Sequence, residues 1–373
     1  MDIGLSLGFG KLDPAMTDED LYRGEVALGL RAEELGFDSV FVVEHHFADY
    51  GLCPDNFLIL AYLASRTTTV KLGTAAVIVP WNNPLRVAEK ALMLDTLSGG
   101  RMQLGLGRGL ARRECEPFNV TLEETRARFD EAAPMIFEAL ETGVMEGDGP
   151  FYPQPRVPLR PVPQRSFMDR RYVVAGSPDS IATAARLRAR MMSFITRPVE
   201  HQMAEFTRYR TLYEELHGQA APPISLTINM YCHRDHELAR ERHFEYVNRF
   251  FLSNVEHYEM AGDHFATTKG YERYAVNAER LRDTGLVKAA ELYAATALWG
   301  TPDHILGQIE AIRDVLGDFE LGLVPACGGM PYDQARDSLE LFGREVLPRA
   351  RELGRRPAGV RAEAVAAVPG ADA

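Results

Sequence analysis

A carboxylate and two adjacent imidazoles follow an apolar run early in the chain, in the segment Phe41-Val42-Val43-Glu44-His45-His46-Phe47. An apolar run of this kind is typical of a parallel strand buried on both faces, and in an α/β barrel the residues just beyond such a strand line the active site. An imidazole changes charge near neutral pH, so it can accept and return a proton. Either histidine alone could be a packed core residue. A pair placed directly after a strand favours at least one functional histidine.

A glycine-rich turn with an arginine at its centre follows a second apolar run, in the segment Leu104-Gly105-Leu106-Gly107-Arg108-Gly109-Leu110. Glycines let a ligand approach the backbone closely, and the planar guanidinium of Arg108 suits a phosphate. An ion pair between Arg108 and a surface carboxylate is the alternative. The segment is not a dinucleotide fingerprint, because its glycines do not have the Gly-x-Gly-x-x-Gly spacing.

A third apolar run leads into Ala175-Gly176-Ser177-Pro178-Asp179-Ser180, which is typical of a helix start. Ser177 is a good N-cap, Pro178 suits the first helical turn, and the N–H groups of a helix start bind anions. Ordinary capping explains the same residues. Together with Arg108, and with Arg126 near the start of a predicted helix Leu122–Thr142, the turn favours a phosphate-binding site.

The run from Lys71 to Pro80 has small residues at its centre, Gly73-Thr74-Ala75-Ala76. Small side chains leave room for a flat ligand against the backbone. They equally permit tight packing between a helix and a sheet. The composition of this run does not decide between the two explanations.

The elements that must position these segments alternate between short apolar runs and amphipathic helical stretches, which predicts an α/β fold with a parallel sheet. The predicted strands are Ile3–Gly8, Ser39–Val43, Val70–Val79, Met102–Leu106, Tyr172–Ala175, Ser193–Thr196, Ser225–Cys232 and Gly322–Pro325. Eight strands indicate a closed (β/α)8 TIM barrel, which we assign to residues 1–354. Two long stretches, Gly147–Arg171 and the mostly helical His233–Gly300, are predicted insertions after barrel strands. Residues 355–373 are predicted to form a disordered tail.

Composition excludes several classes of protein. A formal net charge of -12 over 373 residues argues against nucleic acid or an anionic membrane as the main partner. The four cysteines are far apart without a Cys-x-x-Cys pair, so neither a zinc framework nor a disulfide scaffold is predicted, and we predict no metal site. The first residues lack a basic stretch before an apolar core, and no apolar run approaches membrane-spanning length. We therefore expect a cytoplasmic protein.

An ordered set of motifs resembles the bacterial luciferase-like family of flavin-dependent monooxygenases, over about Met1 to Leu353. The matching segments are Glu44-His45-His46-Phe47, Gly73-Thr74-Ala75-Ala76, Asn83–Glu89, Asp95–Arg101, Gly107-Arg108-Gly109, Thr125-Arg126, Ala175-Gly176-Ser177-Pro178, Gly300-Thr301-Pro302 and Phe342–Pro348. Each motif is weak by itself. Their common order along the chain makes the resemblance specific.

The resemblance implies a barrel that binds FMN, as FMNH2, in its mouth and takes it from a separate NAD(P)H-dependent flavin reductase. Reduced flavin and O2 would form a peroxide at flavin carbon 4a, and the enzyme would oxygenate an organic, apolar small molecule. His45 would be the acid/base group, supported by Glu44 and His46. The Ala75–Ala76 peptide, a candidate non-proline cis bond, would lie against the isoalloxazine. The other implied cofactor-binding residues are Gly107, Arg108, Arg126, Ala175, Gly176, Ser177 and Ser180, of which the arginines and serines would hold the phosphate.

Two departures separate the chain from the light-emitting catalytic subunit of that family. Gly107 replaces a reactive cysteine beside the flavin, and Cys327 falls near a late carboxylate. We therefore expect a different oxidation. The resemblance also implies a homodimer. Two alternatives stay open: a deazaflavin-dependent hydride-transfer oxidoreductase of the same superfamily, and a flavin-binding protein without turnover. The sequence does not identify the substrate.

Overall fold

Eight parallel strands form a closed barrel. The computed structural model describes residues 1–267 and 272–355. Its strands are β1 (Ile3–Leu7), β2 (Ser39–Val42), β3 (His45–Ala48), β4 (Gly51–Cys53), β5 (Lys71–Thr74), β6 (Val77–Ile78), β7 (Met102–Gly107), β8 (Val144–Gly147), β9 (Gln154–Pro158), β10 (Arg171–Val174), β11 (Arg190–Phe194), β12 (Ile224–Cys232), β13 (Leu298–Gly300) and β14 (Phe319–Val324). The barrel order is β1-β2-β5-β7-β10-β11-β12-β14, and β14 pairs with β1. The predicted (β/α)8 barrel is confirmed.

Helices cover the outside of the barrel and form most of the second insertion. They are α1 (Asp18–Leu35), α2 (Asn56–Ala64), α3 (Pro84–Leu97), α4 (Arg112–Cys115), α5 (Leu122–Thr142), α6 (Pro178–Arg186), α7 (Met203–His217), α8 (His236–His257), α9 (His264–Thr267), α10 (Glu272–Thr284), α11 (Leu286–Ala295), α12 (Pro302–Leu316), α13 (Tyr332–Leu341) and α14 (Leu347–Arg355). Local signals set their ends. The first helix, α1, begins with a capping box between Thr17 and Asp20 and ends at Gly36, whose φ of 86° suits glycine.

Charged side chains line the N-terminal end of the barrel interior. Lys71 Nζ lies 2.7 Å from Asp2 Oδ2, and Arg190 pairs with Glu320. The hydroxyl of Tyr172 donates to Glu320 Oε1 at 3.4 Å. Asp2, Lys71, Tyr172 and Glu320 line a cavity of about 20 Å³, which has room for about one water molecule. The N-terminal end of the barrel interior is therefore filled by the protein's own side chains.

An apolar cluster of Phe41, Ala75, Tyr172 and Met192 adjoins these charges. The rings of Phe41 and Tyr172 meet edge to face, with centroids 5.3 Å apart. A Cβ added to Gly73 would lie 2.2 Å from the Phe41 ring. Gly73 therefore makes room for a neighbouring side chain, so close packing accounts for the first of the small residues in this run.

Three barrel strands differ from the predicted bounds by more than one residue. The run predicted as one strand, Val70–Val79, is interrupted at Ala75 and Ala76, between β5 and β6. Strands β11 and β14 begin three residues earlier than the predicted Ser193 and Gly322. A charged residue is the first residue of β11, Arg190, and the second residue of β14, Glu320, which hides these starts from a search for apolar runs. Arg190 and Glu320 are tolerated there because they pair with each other inside the barrel.

The two long stretches form added structure, as predicted. The first, Gly147–Arg171, contains β9, which pairs antiparallel with β8. The second, His233–Gly300, is mostly helical in its described part and ends in β13, beside β12. Phe265 in this insertion is 1% exposed and packs against Cys115 and Val120, which follow β7. The insertion therefore covers the loop at the end of β7.

The predicted boundary between a barrel domain, residues 1–354, and a disordered tail, residues 355–373, stays a prediction. Residues 356–373 lie outside the described residues. Within the described part of the chain, none of the helices combines the length and the apolar character that a bilayer-spanning segment needs.

Candidate active site

The predicted site residues meet at the C-terminal edge of four neighbouring barrel strands. Strands β2, β5, β7 and β10 are adjacent in the barrel. His45 comes shortly after β2, Ala75 follows β5, Arg108 follows β7 and Ala175 follows β10. Parallel strands end at the same edge of a sheet, so the fold brings together segments that are far apart in the sequence.

Glu44 connects the end of β2 to the segment after β6. Its buried carboxylate accepts hydrogen bonds from Trp81 Nε1 and Asn82 Nδ2, both at 2.8 Å, and from the backbone N–H of Ile78 at 3.2 Å. His46 Nε2 lies 3.3 Å from the same carboxylate. Glu44 is thus held by three donors. It contacts His46, while a different carboxylate contacts His45.

That carboxylate belongs to Glu114 on α4, which is only 2% exposed. Its Oε1 atom lies 3.0 Å from His45 Nδ1 and accepts the backbone N–H of His46 at 2.8 Å. An ionised carboxylate only accepts hydrogen bonds, so this contact places a proton on Nδ1 of a neutral His45. The lone pair of the ring is then on Nε2. Glu114 therefore selects the tautomer in which Nε2 of His45 can act as a base.

The imidazole of His257, the last residue of α8, lies on the other side of Glu114. Its Nε2 is 3.4 Å from Glu114 Oε1, and the residue is 1% exposed. The ring stacks on Tyr50 with centroids 4.4 Å apart, and it meets the ring of His45 edge to face at 5.4 Å. Asn254 Nδ2 donates to the hydroxyl of Tyr50 at 3.0 Å. Helix α8 of the second insertion therefore forms one wall of the site around His45.

Burial and hydrogen bonding set the ionisation of this cluster. Burial opposes ionisation of Glu114, but the contacts from His257, His45 and the His46 backbone outweigh it and hold the pKa of Glu114 well below its usual range. Burial lowers the pKa of His257, and Glu114 only partly offsets this effect. Burial also raises the pKa of Tyr50 to about 12. At neutral pH the cluster therefore contains a carboxylate, a neutral His257 and an un-ionised tyrosine.

Small residues lie side by side at the ends of β5 and β7. The Ala75–Ala76 peptide is cis, and the buried Asn56 donates through Nδ2 to the carbonyl oxygen of Ala76 at 3.2 Å. A Cβ added to Gly107 would lie 3.3 Å from the Ala76 Cβ and 3.0 Å from Ile78 Cδ1. The fold thus places Ala76 beside Gly107, and a side chain at position 107 would crowd both neighbours.

The start of α6 forms a capping box. The backbone N–H of Ser180 donates to Ser177 Oγ at 3.3 Å, and Ser180 Oγ accepts the backbone N–H groups of Gly176 and Ser177 at 3.1 and 3.0 Å. The ordinary capping role is therefore present. Arg126 of α5 reaches the same helix start, where its Nη2 lies 3.7 Å from Asp179 Oδ2. Arg126 and the two serines are thus neighbours, as the predicted phosphate site requires.

The residues present fit FMN or a deazaflavin of the same shape. A Cβ added to Gly176 would meet no atom within 4 Å, so this turn borders open space. Arg108 follows the strand next to β10, and Arg126 reaches the start of α6, so both cations lie at this edge. Guanidinium groups near a helix start suit a phosphate, and the paired small residues Ala76 and Gly107 suit a flat ring.

Sequence reasoning did not find Glu114, His257 or Asn56. Glu114 follows Arg112 and Arg113, and such a charged run normally indicates a solvated surface. His257 ends an insertion helix, and its sequence carries no motif. Asn56 follows Asp55, the N-cap of α2, so it resembles an ordinary polar residue at a helix start. The one signal that could have pointed to the missing residues was the need of His45 for a buried polar partner. Only the fold shows which residue is that partner.

Comparison with known proteins identifies the family. Residues 1–318 match the family model for luciferase-like monooxygenases. The chain belongs to this family. Among curated relatives, it is 26% identical to the alkanal monooxygenase alpha chain of Photobacterium leiognathi over 353 residues, which cover 92% of this chain and 98% of the relative.

Solved structures of similar fold include proteins whose flavin-type cofactors differ. Monooxygenase RslO1 from Streptomyces bottropensis is 28% identical, with a TM-score of 0.73 over 94% of this chain and 99% of that chain. The oxygenating constituent of 3,6-diketocamphane monooxygenase from Pseudomonas putida, solved with FMN, is 18% identical, with a TM-score of 0.71 over 94% and 98%. A coenzyme F420-dependent tetrahydromethanopterin reductase from Methanopyrus kandleri is 17% identical, with a TM-score of 0.65 over 94% and 99%. The last two share the fold.

Proposed function

We propose that this protein is a two-component monooxygenase. It takes FMNH2 from a separate NAD(P)H-dependent flavin reductase and uses O2 to oxygenate an apolar organic small molecule. Membership of the luciferase-like monooxygenase family supports the reaction class. The observation that carries the proposal is the contact between His45 Nδ1 and the buried carboxylate of Glu114 at 3.0 Å, because it gives the site a base of defined tautomer.

The protein's part in the reaction is to hold a proton and to exclude water. When bound, reduced flavin supplies the oxygen activation. Nε2 of His45 takes a proton and returns it, and Glu114 acts as a positioning residue that keeps the ring in the competent tautomer. Glu44 and His46 secure the turn after β2. The stacked rings of Tyr50 and His257 limit the access of water to His45.

The flavin would lie across the edge of β5, β7 and β10. Ala75, Ala76 and Gly107 offer a surface of small residues to the ring. The phosphate would be held by the cations and the helix start, that is, by Arg108, Arg126, Ala175, Gly176, Ser177 and Ser180. The capping bonds between Ser177 and Ser180 fix the conformation of this helix start.

Hydride transfer with a deazaflavin is the second candidate function. The shared fold of the F420-dependent tetrahydromethanopterin reductase favours it. The adjacent histidines His45 and His46 favour FMN. A flavin-binding protein without turnover would keep its function when His45 is replaced, which sets that possibility apart from both enzymes.

A test of these functions starts from the purified full chain. Binding of FMN, FMNH2 and F420 is measured by fluorescence, and consumption of a panel of organic compounds is followed by mass spectrometry with FMNH2 under air. We expect incorporation of oxygen from ¹⁸O2 into one compound class in the presence of FMNH2. Tight retention of F420, with no oxygen incorporation beside FMNH2, would exclude the monooxygenase and establish the second candidate.

We also propose a homodimer that forms through α2 and α3. These helices pack together and expose large apolar side chains: Leu58 is 70% exposed, Leu97 66%, Met93 54% and Tyr62 45%. Contiguous apolar patches on a surface commonly mark interfaces. Sedimentation should give a dimer for the natural chain and a monomer for Leu58→Glu. A monomeric natural chain would refute this part of the proposal.

A further inference from the structure

The imidazole of His257 is buried without a hydrogen-bond partner. Neither ring nitrogen has one among the described residues, although the residue is only 1% exposed. Glu114 Oε1 lies 3.4 Å from His257 Nε2, in a contact that falls short of hydrogen-bond geometry. Buried polar groups in folded proteins are normally paired. The orphaned ring therefore indicates a ligand between His257 and Glu114.

Three side chains converge on this point with the spacing of metal ligands. The ligand atoms of His45, Glu114 and His257 all lie within 4.8 Å of one another. Glu114 Oε1 is 3.0 Å from His45 Nδ1 and 3.4 Å from His257 Nε2. Bond lengths of about 2.0–2.2 Å at a tetrahedral zinc ion place neighbouring ligand atoms about 3.4 Å apart. Two imidazoles and a carboxylate form a known type of zinc ligand set, with the fourth position left for water.

We propose that His45, Glu114 and His257 bind a divalent transition-metal ion, with zinc the best match. Imidazole nitrogens favour zinc and other first-row transition metals over magnesium or calcium, which prefer oxygen ligands. The ionised carboxylate of Glu114 compensates part of the charge of the ion. The four cysteines are buried and are not members of this cluster, so they do not divert the ion.

The ion inhibits the proposed oxygenation, a consequence that rests on the proposed function. In the metal-free site the proton of a neutral His45 is on Nδ1, and the lone pair is on Nε2. A metal ion on Nδ1 displaces that proton, and the neutral ring then carries its proton on Nε2. Nε2 can no longer accept a proton, so the base is lost while the flavin-binding residues stay unchanged.

The test measures metal binding without flavin. The untagged full chain, stripped with a chelator, is titrated with Zn²⁺ by calorimetry and with Co²⁺ by visible absorption, which reports tetrahedral coordination. We expect one ion per chain. His257→Gln should weaken binding by more than the roughly 10–100-fold that the loss of an outer-shell partner costs, because it removes a direct ligand. The matched control is His236→Ala. His236 is at the other end of α8, where its ring centroid lies 4.9 Å from that of His304, and it does not belong to the cluster of His45, Glu114 and His257.

Glu114→Gln repeats the test independently if the His257 variant does not fold. Absence of zinc binding to the natural chain would overturn the proposal. Unchanged affinity in the folded His257 or Glu114 variant would also overturn it, as would a loss confined to His236→Ala. Because no flavin is present, these outcomes leave the proposed oxygenation untouched. Conversely, a chain that binds zinc at this site but never oxygenates a compound refutes the proposed function alone.

Discussion

Glu25 of α1 should make the protein less stable as the pH rises toward 8. The residue is 1% exposed, and the hydroxyl of Tyr332 donates to its Oε1 atom at 3.1 Å. Burial raises the pKa of Glu25 to about 8, although Tyr332 and the backbone amides of Phe9 and Gly8 partly oppose this effect. The carboxyl group is therefore mostly protonated in the folded protein at neutral pH.

The direction follows from proton binding. In the unfolded chain this carboxyl titrates near its ordinary pKa of 4.5. Between 4.5 and about 8 the folded state keeps a proton that the unfolded state has lost, so the free energy of unfolding falls as the pH rises through this window. At about 1.4 kcal/mol per pH unit, the window corresponds to roughly 5 kcal/mol as an upper bound.

The assay compares urea unfolding of the natural chain and Glu25→Gln from pH 5 to pH 9. Glutamine keeps the size of the side chain and an acceptor for Tyr332, but it does not ionise. We expect the variant to gain several kcal/mol relative to the natural chain between pH 5 and 8. Glu34→Gln, on the same helix but largely exposed, should run parallel to the natural chain. Parallel profiles for Glu25→Gln and the natural chain would refute the reasoning.

Three further predictions concern the active site. His45→Ala should lower turnover by about 10²-fold or more, with FMN affinity nearly unchanged, because it removes the proton acceptor. Oxygen incorporation measures turnover, and flavin fluorescence measures FMN affinity. Equal turnover in the variant would show that His45 takes no part in the mechanism. Arg108→Ala should weaken FMN binding by roughly 1.5–3 kcal/mol through loss of a charged hydrogen bond, whereas the exposed Arg86→Ala should not; an unchanged FMN titration would contradict the placement. Glu114→Gln should lower kcat about 10²-fold and change the pH profile of kcat, with little effect on KM. The reason is that the glutamine amide can donate to Nδ1 of His45 and reverse the tautomer of the ring. An unchanged pH profile would show that Glu114 does not orient the ring.

The sequence by itself determined the barrel and the segments that form the site. Alternating apolar runs and amphipathic stretches predicted eight strands, and α5 matches its predicted bounds, Leu122–Thr142. These features depend on local periodicity and capping, which neighbouring residues encode. The position of His45 shortly after β2 was predictable for the same reason, since the C-terminal edge of a barrel is where strands deliver their following residues.

The tertiary structure alone decided which groups act on His45. Glu114 and His257 are 69 and 212 residues further along the chain, and neither belongs to a local motif. In the same way, Arg190 and Glu320 look like surface charges in the sequence, yet they pair inside the barrel. The physical reason is common to both cases. The environment of a polar side chain depends on what packs against it, and that is set by strand order and insertion rather than by its neighbours in the chain.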